Sequence, residues 1–456
     1  MELYIDNSIS FFDNIQKNKR MKYTKRYGYA NHINGAYIDF YINPYDIKGQ
    51  NKQEILLKFN NEINKAMTKI NKCQRKGLYL SGYIINIMIK QIDKMIEDNS
   101  YWTRWGFDSD DITEIYNIYN VFRLFLKIAL DRIPKDKLEN GLSLTKNGSR
   151  LYEFILLKNT SLKITAEQMQ NIGIEMIIKY LNEYKQLTGR EKIAGITNTN
   201  YTSYSEFRND VAKMINTLYN VYKKKYDNKI ILLHPTKIRI RDIANIKINW
   251  SNEKAYDRTL YLNSKRYGIH KKETIFRLCS HDIMLGALVY KENLSNSLKK
   301  NKVSSNHQLA YKGVQCLVSG WSKYSEFLAQ RDLNISDKNA DISLLESNIL
   351  DAIRIIVDTG LHSDKVKLSM KVNEAKLFYK MYTEMTDDDI EIEITRILTH
   401  PGTMSCSGIG YKYIKNIEGE YLKKNNSIED FVKWFLNTPV IIDDKFRMIE
   451  NNYLNF

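Results

Sequence analysis

The stretch Arg354-Ile-Ile-Val-Asp358-Thr-Gly360-Leu-His362 decides how the chain is interpreted, because its three ionisable side chains recur every four residues. On an α-helix, residues at that spacing lie on one face. The carboxylate in the middle can accept a charge-assisted hydrogen bond from either basic neighbour. Two interpretations stay open. The face is either a buried ion cluster that stiffens the fold, or a site where Arg354 binds a substrate carboxylate and His362 relays a proton.

A second segment offers part of a metal site. It reads Ser280-His281-Asp282-Ile-Met-Leu-Gly286-Ala287-Leu288. A zinc peptidase needs two histidines one helical turn apart, with a glutamate beside the first to activate the metal-bound water. Here an aspartate follows His281, and position 285 is leucine. The pair is therefore either structural or the remnant of a site.

Two more segments combine polar and small residues. In Ser319-Gly320-Trp321-Ser-Lys-Tyr324-Ser-Glu326, the glutamate could reach a metal, whereas Trp321 and Tyr324 alone would be core-facing aromatics. In His400-Pro401-Gly402-Thr-Met-Ser405-Cys406-Ser407-Gly408-Ile-Gly410, the glycines predict a small-residue loop. That loop either cradles a ligand or marks a close chain crossing. A Ser or Cys nucleophile is not expected there, because no partner motif accompanies it.

Composition limits the class of protein. The 456 residues include five prolines and twenty glycines, which favours an α-rich fold of two or three lobes. The net charge of +16 comes mainly from dispersed lysines, so nucleic-acid binding is only weakly supported. Four cysteines lack paired spacing, and neither a signal peptide nor an 18-residue apolar stretch is visible. We therefore expect no membrane span, and a cytoplasmic or virion-interior protein that is not secreted. The frequent use of Asn, Ile, Lys and Tyr fits an A+T-rich genome, such as that of a large DNA virus.

Hydrophobic periodicity predicts the order of elements. After an irregular start, helices are expected over 52–98 (two), 111–132, 165–187, 204–226, 272–291, 306–332, 341–358, 371–384 and 387–399. Short strands are expected at 230–234, 246–250 and 259–263. Thr165 and Gln168 have capping-box spacing. The predicted regions are an N-terminal helical lobe or cap (1–150), a core (151–415) and a C-terminal helical tail (416–456).

These motifs resemble the domain of unknown function 885 family, a family of proposed zinc peptidases with a predominantly helical, gluzincin-like core. The resemblance extends over roughly 150–415. Its most specific piece is Arg354 to His362, which is close to the family's R-x-x-V-D-T-G-L-H. The run from Glu393 to Gly402 resembles E-x-x-R-Y-x-x-x-P-G, and residues 160–173 resemble the segment before the family's middle helix.

The departures from the family concern its chemistry. The family's H-E-x-x-P-G-H-H places histidines where Ala287 and Leu288 stand, and its E-G-W-x-x-Y-x-E loses the first glutamate to Ser319. The Tyr-Lys-Ile-Gly expected after Pro401-Gly402 is replaced by Ser407-Gly408-Ile409-Gly410. The resemblance thus implies a mainly α, gluzincin-like fold whose ligands, base and oxyanion-stabilising tyrosine are mostly lost.

We therefore expect a pseudoenzyme without bound metal or catalytic residues, which acts as a binding or structural component, of a virus particle for example, and has a protein or peptide partner. His281, Asp282 and Glu326 would be vestigial. The cleft or structural residues would be Trp321, Tyr324, Arg354, Asp358, His362 and Gly402. The main alternative is an active metal-dependent peptidase that uses His281, Asp282 and Glu326 in a reduced site, with zinc held through His281 and Glu326. A third interpretation is a basic nucleic-acid-associated protein.

Overall fold

The computed structural model of the chain describes residues 1–21, 31–33, 35–44, 51–194, 201–226, 230–243, 254–256, 258–264, 267–424 and 427–451. Its N-terminal half is helical. The helices are α1 (Glu2–Lys17), α2 (Ala36–Ile42), α3 (Lys52–Gln74), α4 (Gly82–Glu97), α5 (Asn99–Arg104), α6 (Ser109–Asp131), α7 (Gly148–Thr160), α8 (Ala166–Thr188) and α9 (Tyr204–Tyr226).

Most of these helices confirm the periodicity. The predicted cap of α8 is present: Gln168 N–H donates to Thr165 Oγ1 at 3.1 Å, and Thr165 N–H donates to Gln168 Oε1 at 2.9 Å. The predicted irregular start is wrong, because α1 buries Tyr4, Ile5 and Phe12 on one face and packs on the C-terminal helices. The buried positions 4, 8, 12 and 15 of this helix recur every three or four residues, which is a helical signal.

A small mixed sheet lies between the two helical parts. It has the strands β1 (Arg239–Ile243), β2 (Lys254–Tyr256) and β3 (Thr259–Asn263) in the order β1-β3-β2, with β3 parallel to β1 and antiparallel to β2. The predicted strand at 259–263 is confirmed, and that at 246–250 lies outside the described residues. The predicted strand at 230–234 is wrong, because the Asn293 side chain takes the Ile231 N–H (2.8 Å) and carbonyl (2.9 Å) instead.

Helices return after the sheet. They are α10 (Ile275–Asp282), α11 (Ala287–Lys300), α12 (Ser305–Lys312), α13 (Gln315–Asp332), α14 (Lys338–His362), α15 (Val372–Tyr382), α16 (Asp387–Thr399), α17 (Cys406–Leu422), α18 (Ile428–Asn437) and α19 (Ile442–Glu450). The described chain is thus mainly α, as predicted.

Three predictions in this half are corrected. The single helix over 272–291 is wrong: it breaks after Asp282, where buried Leu285 adopts φ +67° and its carbonyl accepts the Trp321 indole N–H at 2.6 Å. The helix over 306–332 is interrupted at Gly313 and Val314, between α12 and α13. Residues 406–410, expected in a loop, begin α17.

The glycines of that segment serve a helix crossing. α13 and α17 pack so closely that a Cβ on Gly320 would lie 2.4 Å from the Gly410 carbonyl carbon, and a Cβ on Gly410 would lie 2.1 Å from the Cys316 oxygen. The close chain crossing is therefore what the structure contains at this point.

One hydrophobic core extends from Tyr4 to Ile449, and the predicted boundary at 415/416 falls within α17. In the described part of the chain, no helix is both long enough and apolar enough to cross a membrane.

Candidate functional site

The predicted metal residues meet at the end of α10. His281 Nδ1 lies 2.7 Å from Glu326 Oε1, so the two side chains named as possible metal ligands are adjacent. The ring of His281 is 37% exposed, whereas the carboxylate of Glu326 is 8% exposed. A third residue shares the carboxylate: the Arg277 Nε donates to Glu326 Oε2 at 2.7 Å. Both oxygens of Glu326 are thereby occupied.

Electrostatics fix the ionisation of this group. Burial alone would raise the pKa of the Glu326 carboxyl, but the Arg277 charge and the His281 hydrogen bond hold that pKa well below its usual range. Burial lowers the pKa of His281, yet Glu326 outweighs it and raises the pKa overall. Arg277 is itself anchored, since its Nη1 donates to the Ser343 carbonyl at 2.7 Å. The carboxylate therefore serves as the counter-charge of two neighbours.

These residues do not fit a zinc ion. Zinc takes three or four converging nitrogen, sulfur or carboxylate ligands. Over the described ranges, no group of three or more His, Cys, Asp or Glu side chains is placed to hold a metal. Ala287 and Leu288 add no ligand after the helix break, and Trp321 and Tyr324 are fully buried in the core beside α18.

Further charged side chains follow Glu326 into the interior. Lys323 Nζ lies 2.9 Å from Asp351 Oδ2, and both side chains are 2% exposed. Arg354 Nη1 then contacts Asp351 Oδ1 at 3.1 Å. The same guanidinium binds Glu393 through two hydrogen bonds of 2.7 and 2.8 Å. Because these ion pairs are buried, they fix the positions of helices α13, α14 and α16 relative to one another.

Seven side chains of alternating sign result, here called the charge array: Arg277, Glu326, Lys323, Asp351, Arg354, Glu393 and Arg396. Burial would raise the pKa of Asp351 and Glu393, but the Lys323 and Arg354 charges lower the pKa of Asp351, and the Arg354 charge lowers that of Glu393. Of the array, the site prediction named only Glu326 and Arg354. The sequence did contain a signal for two further members. Lys323 lies three residues before Glu326, and Asp351 lies three residues before Arg354, each pair on a largely buried helix.

Asp358 and His362 form a separate group with no cation in it. Asp358 Oδ1 accepts from Gly402 N–H at 3.0 Å, its Oδ2 accepts from Ser405 Oγ, and His362 Nε2 lies 3.7 Å from Oδ1. His362 Nδ1 accepts from Leu142 N–H at 2.9 Å, so the proton sits on Nε2, which donates to the Ile397 carbonyl at 3.0 Å. We call Asp358, His362 and these partners the neutral hub.

Enclosure sets the pKa values of the neutral hub. Asp358 and His362 have no exposed surface. Burial raises the pKa of Asp358 to about 7 despite the hydrogen bonds from Ser405 and Gly402. Burial also lowers the pKa of His362 to about 4. The three side chains of this helix face therefore have two different roles. Arg354 is part of the charge array. Asp358 and His362 instead connect α14 to the 402–405 turn and to α16 through hydrogen bonds.

Comparisons with known proteins agree with this helical fold. The family model described as bacterial protein of unknown function (DUF885) matches residues 299–435. This match lacks α10, so it is shorter at its start than the expected 150–415, and it extends further toward the C-terminus. No curated protein matches the chain.

Two solved structures share the architecture. A protein of Colwellia psychrerythraea, provisionally called a lipoprotein, has a TM-score of 0.72 at 16% identity, with 93% of this chain and 80% of that chain covered. A provisionally named lipoprotein of unknown function from Shewanella oneidensis has a TM-score of 0.61 at 13% identity, with 95% and 84% covered. The predicted cytoplasmic or virion-interior location is wrong, since both of these structures are bacterial proteins named as lipoproteins.

Proposed function

We propose that the chain is a catalytically inactive, metallopeptidase-like protein with a gluzincin-type helical scaffold, and that it binds a protein or peptide. Fold and chemistry are separable, because a scaffold persists as long as its packing is maintained. The observation that carries the proposal is the state of Glu326, whose two oxygens are taken by His281 and Arg277. A carboxylate that neutralises an arginine is a poor zinc ligand.

The remaining family positions support the same proposal. A zinc peptidase must activate water at the metal, which needs an open coordination position and a nearby base. Asp282 has a shorter side chain than the glutamate expected there, and apolar side chains occupy 287 and 288. Trp321, Asp358 and Gly360, by contrast, are family residues with buried packing or hydrogen-bonding roles.

The proposal is tested by peptide hydrolysis in the presence of added zinc. Wild type, His281→Ala and the control His234→Ala, which changes an exposed histidine, are incubated with a mixture of synthetic peptides that is analysed by mass spectrometry. All three should leave the peptides intact at the buffer rate. Zinc-dependent cleavage by wild type and His234→Ala that disappears in His281→Ala would overturn the proposal.

A further inference from the structure

A cavity of about 280 Å³ lies where the end of α3 meets the start of α7. Four of its lining side chains are cations, and none of the described lining residues is an acid. The cations come from three separate segments of the chain: Arg20 follows α1, Lys76 follows α3, and Lys146 and Arg150 lie at the start of α7. We call this space the cationic cavity.

No carboxylate neutralises these cations. Within the described residues, none of the four side chains forms an ion pair or a hydrogen bond with an acid. Glu153 follows Arg150 by about one helical turn, yet it neither pairs with Arg150 nor lines the cavity. Asp364 is also outside the lining, and its carboxylate accepts from Ser149 Oγ. The cationic cavity therefore retains its positive charge.

Two other cavities in the described part of the chain contain both signs of charge. The one between α1 and α12 combines Lys158 with Asp13. The one between α1 and α19 combines Lys163 with Asp443. A lining of one sign is thus not a general feature of this surface, although the chain has a net charge of +16.

Tight turns and an apolar floor shape the cationic cavity. Gly77 (φ +70°) and Asn147 (φ +60°) both adopt the left-handed conformation, and a Cβ on Gly77 would lie 3.9 Å from Lys146 Cβ, so the two turns are in contact. Buried Leu78 and Leu151 complete the lining. No side chain caps α7, so the positive end of this helix adds to the potential. A cleft with one sign of charge and low-dielectric walls concentrates counter-ions.

We propose that the cationic cavity binds the phosphate group of a small phosphomonoester. Above a pH of about 6, such a group has close to two negative charges and three acceptor oxygens. Arg20 and Arg150 offer planar guanidinium groups that suit bidentate binding, whereas Lys76 and Lys146 act as point charges. A monocarboxylate would neutralise only one of the four cations. None of the lining residues belongs to the charge array or the neutral hub, so the site is independent of the zinc question.

The test is a calorimetric titration of the full chain with glycerol 3-phosphate, at about pH 7.5 and constant ionic strength because the net charge of +16 attracts anions everywhere. Glycerol and acetate are titrated in parallel. Wild type is compared with Arg150→Gln, Lys146→Gln and the control Arg190→Gln, which removes an exposed arginine outside the cavity. Glycerol 3-phosphate should bind, acetate should bind at least about tenfold more weakly, and glycerol should not bind.

The variants and the pH separate the site from general charge. Loss of the guanidinium should weaken binding about tenfold or more in Arg150→Gln, and loss of the ammonium should weaken it less in Lys146→Gln, while Arg190→Gln binds as wild type. The affinity should also fall below a pH of about 6, because the ligand loses its second charge while arginine and lysine stay protonated. The substituted side chains are exposed, so thermal unfolding should be unchanged without ligand.

Three results would overturn the proposal. The first is that wild type gives no heat with glycerol 3-phosphate, including the case in which a single-stranded oligonucleotide or phosphatidic acid vesicles bind instead. The second is that Arg150→Gln binds as wild type. The third is that Arg190→Gln weakens binding as much as Arg150→Gln, which would mean that only the net charge attracts the ligand.

Discussion

The charge array and the neutral hub lie on the same helix, α14, but they satisfy buried polar groups in opposite ways. Around Arg354, enclosed cations and carboxylates are paired, and each holds its neighbour in the ionised form. Around Asp358 and His362, burial favours the uncharged forms, and backbone groups complete the hydrogen bonds. The motif from Arg354 to His362 therefore serves two structural purposes, although its ionisable residues share one helix face. A catalytic interpretation would treat these residues as a single site.

The largest expected effect is in the charge array. Arg354→Ala leaves Asp351 and Glu393 buried without their shared cation, so we expect a loss of about 3–5 kcal/mol in the free energy of unfolding. Chemical denaturation monitored by circular dichroism measures it. The control Arg123→Ala breaks a partly exposed pair with Asp93 (2.7 Å) and should cost about 1 kcal/mol at most. Similar small losses for both variants would mean that the array contributes little to stability.

The neutral hub should be less sensitive. His362→Ala removes one hydrogen-bond partner each from Leu142 N–H and the Ile397 carbonyl and leaves a cavity beside Tyr152, which predicts a loss of about 2–4 kcal/mol. Equilibrium unfolding again gives the value. His307→Ala, at a surface pair with Asp13, is the matched control and should stay within about 1 kcal/mol of wild type. A wild-type-like His362→Ala would remove the hub's structural role.

Glu326 allows the structural and catalytic interpretations to be compared by stability alone. Glu326→Gln leaves the largely buried Arg277 without its counter-charge, and we expect a loss of about 1–3 kcal/mol. Residues retained for chemistry commonly behave in the opposite way, because their removal relieves a destabilised site. Glu391→Gln, at a carboxylate that is 33% exposed, serves as the control. A Glu326→Gln protein more stable than wild type would favour a functional site.

The smallest effect concerns pH, because the two hub residues oppose one another. The raised pKa of Asp358 gives stability that is present below pH 4 and is lost as the pH rises to about 7. The lowered pKa of His362 disfavours its protonated form, so stability increases from about pH 4 to the ordinary histidine value near 6.5. Between pH 4 and 6.5 these contributions partly cancel in wild type.

Single substitutions should expose each contribution. Relative to wild type, Asp358→Asn should gain stability more steeply as the pH rises from 4 to 6.5, and His362→Gln should gain it less steeply. Thermal unfolding in a series of buffers of equal ionic strength provides the two difference curves. Parallel curves for all three proteins would show that neither group has a shifted pKa.

The sequence was sufficient for the helices whose apolar residues repeat regularly, such as α8 with its capping box and α9. It was insufficient where a distant side chain decides the local structure. The helix break at Leu285 depends on the indole of Trp321, and the absence of a strand at 230–234 depends on Asn293. Periodicity contains no information about such contacts, so these segments were predicted incorrectly.

The same limit applies to the candidate site. Spacing grouped Arg354, Asp358 and His362 on one helix, as the structure has them, and the resemblance named His281 and Glu326, which lie in contact. Neither the spacing nor the resemblance could show that Arg354 pairs with Glu393, or that Glu326 pairs with Arg277, because these partners come from other helices. The packing of the helices decides which ionisable side chains pair with each other. This pairing is what distinguishes a structural ion array from a catalytic centre.

Metal analysis tests the central claim most directly. Wild type and His281→Ala are purified without chelators, exchanged into metal-free buffer and analysed by plasma mass spectrometry, with circular dichroism to verify that both are folded. We predict far less than one zinc per chain in each protein, because Arg277 and His281 occupy the Glu326 carboxylate. About one zinc per wild-type chain, lost in His281→Ala, would contradict the account.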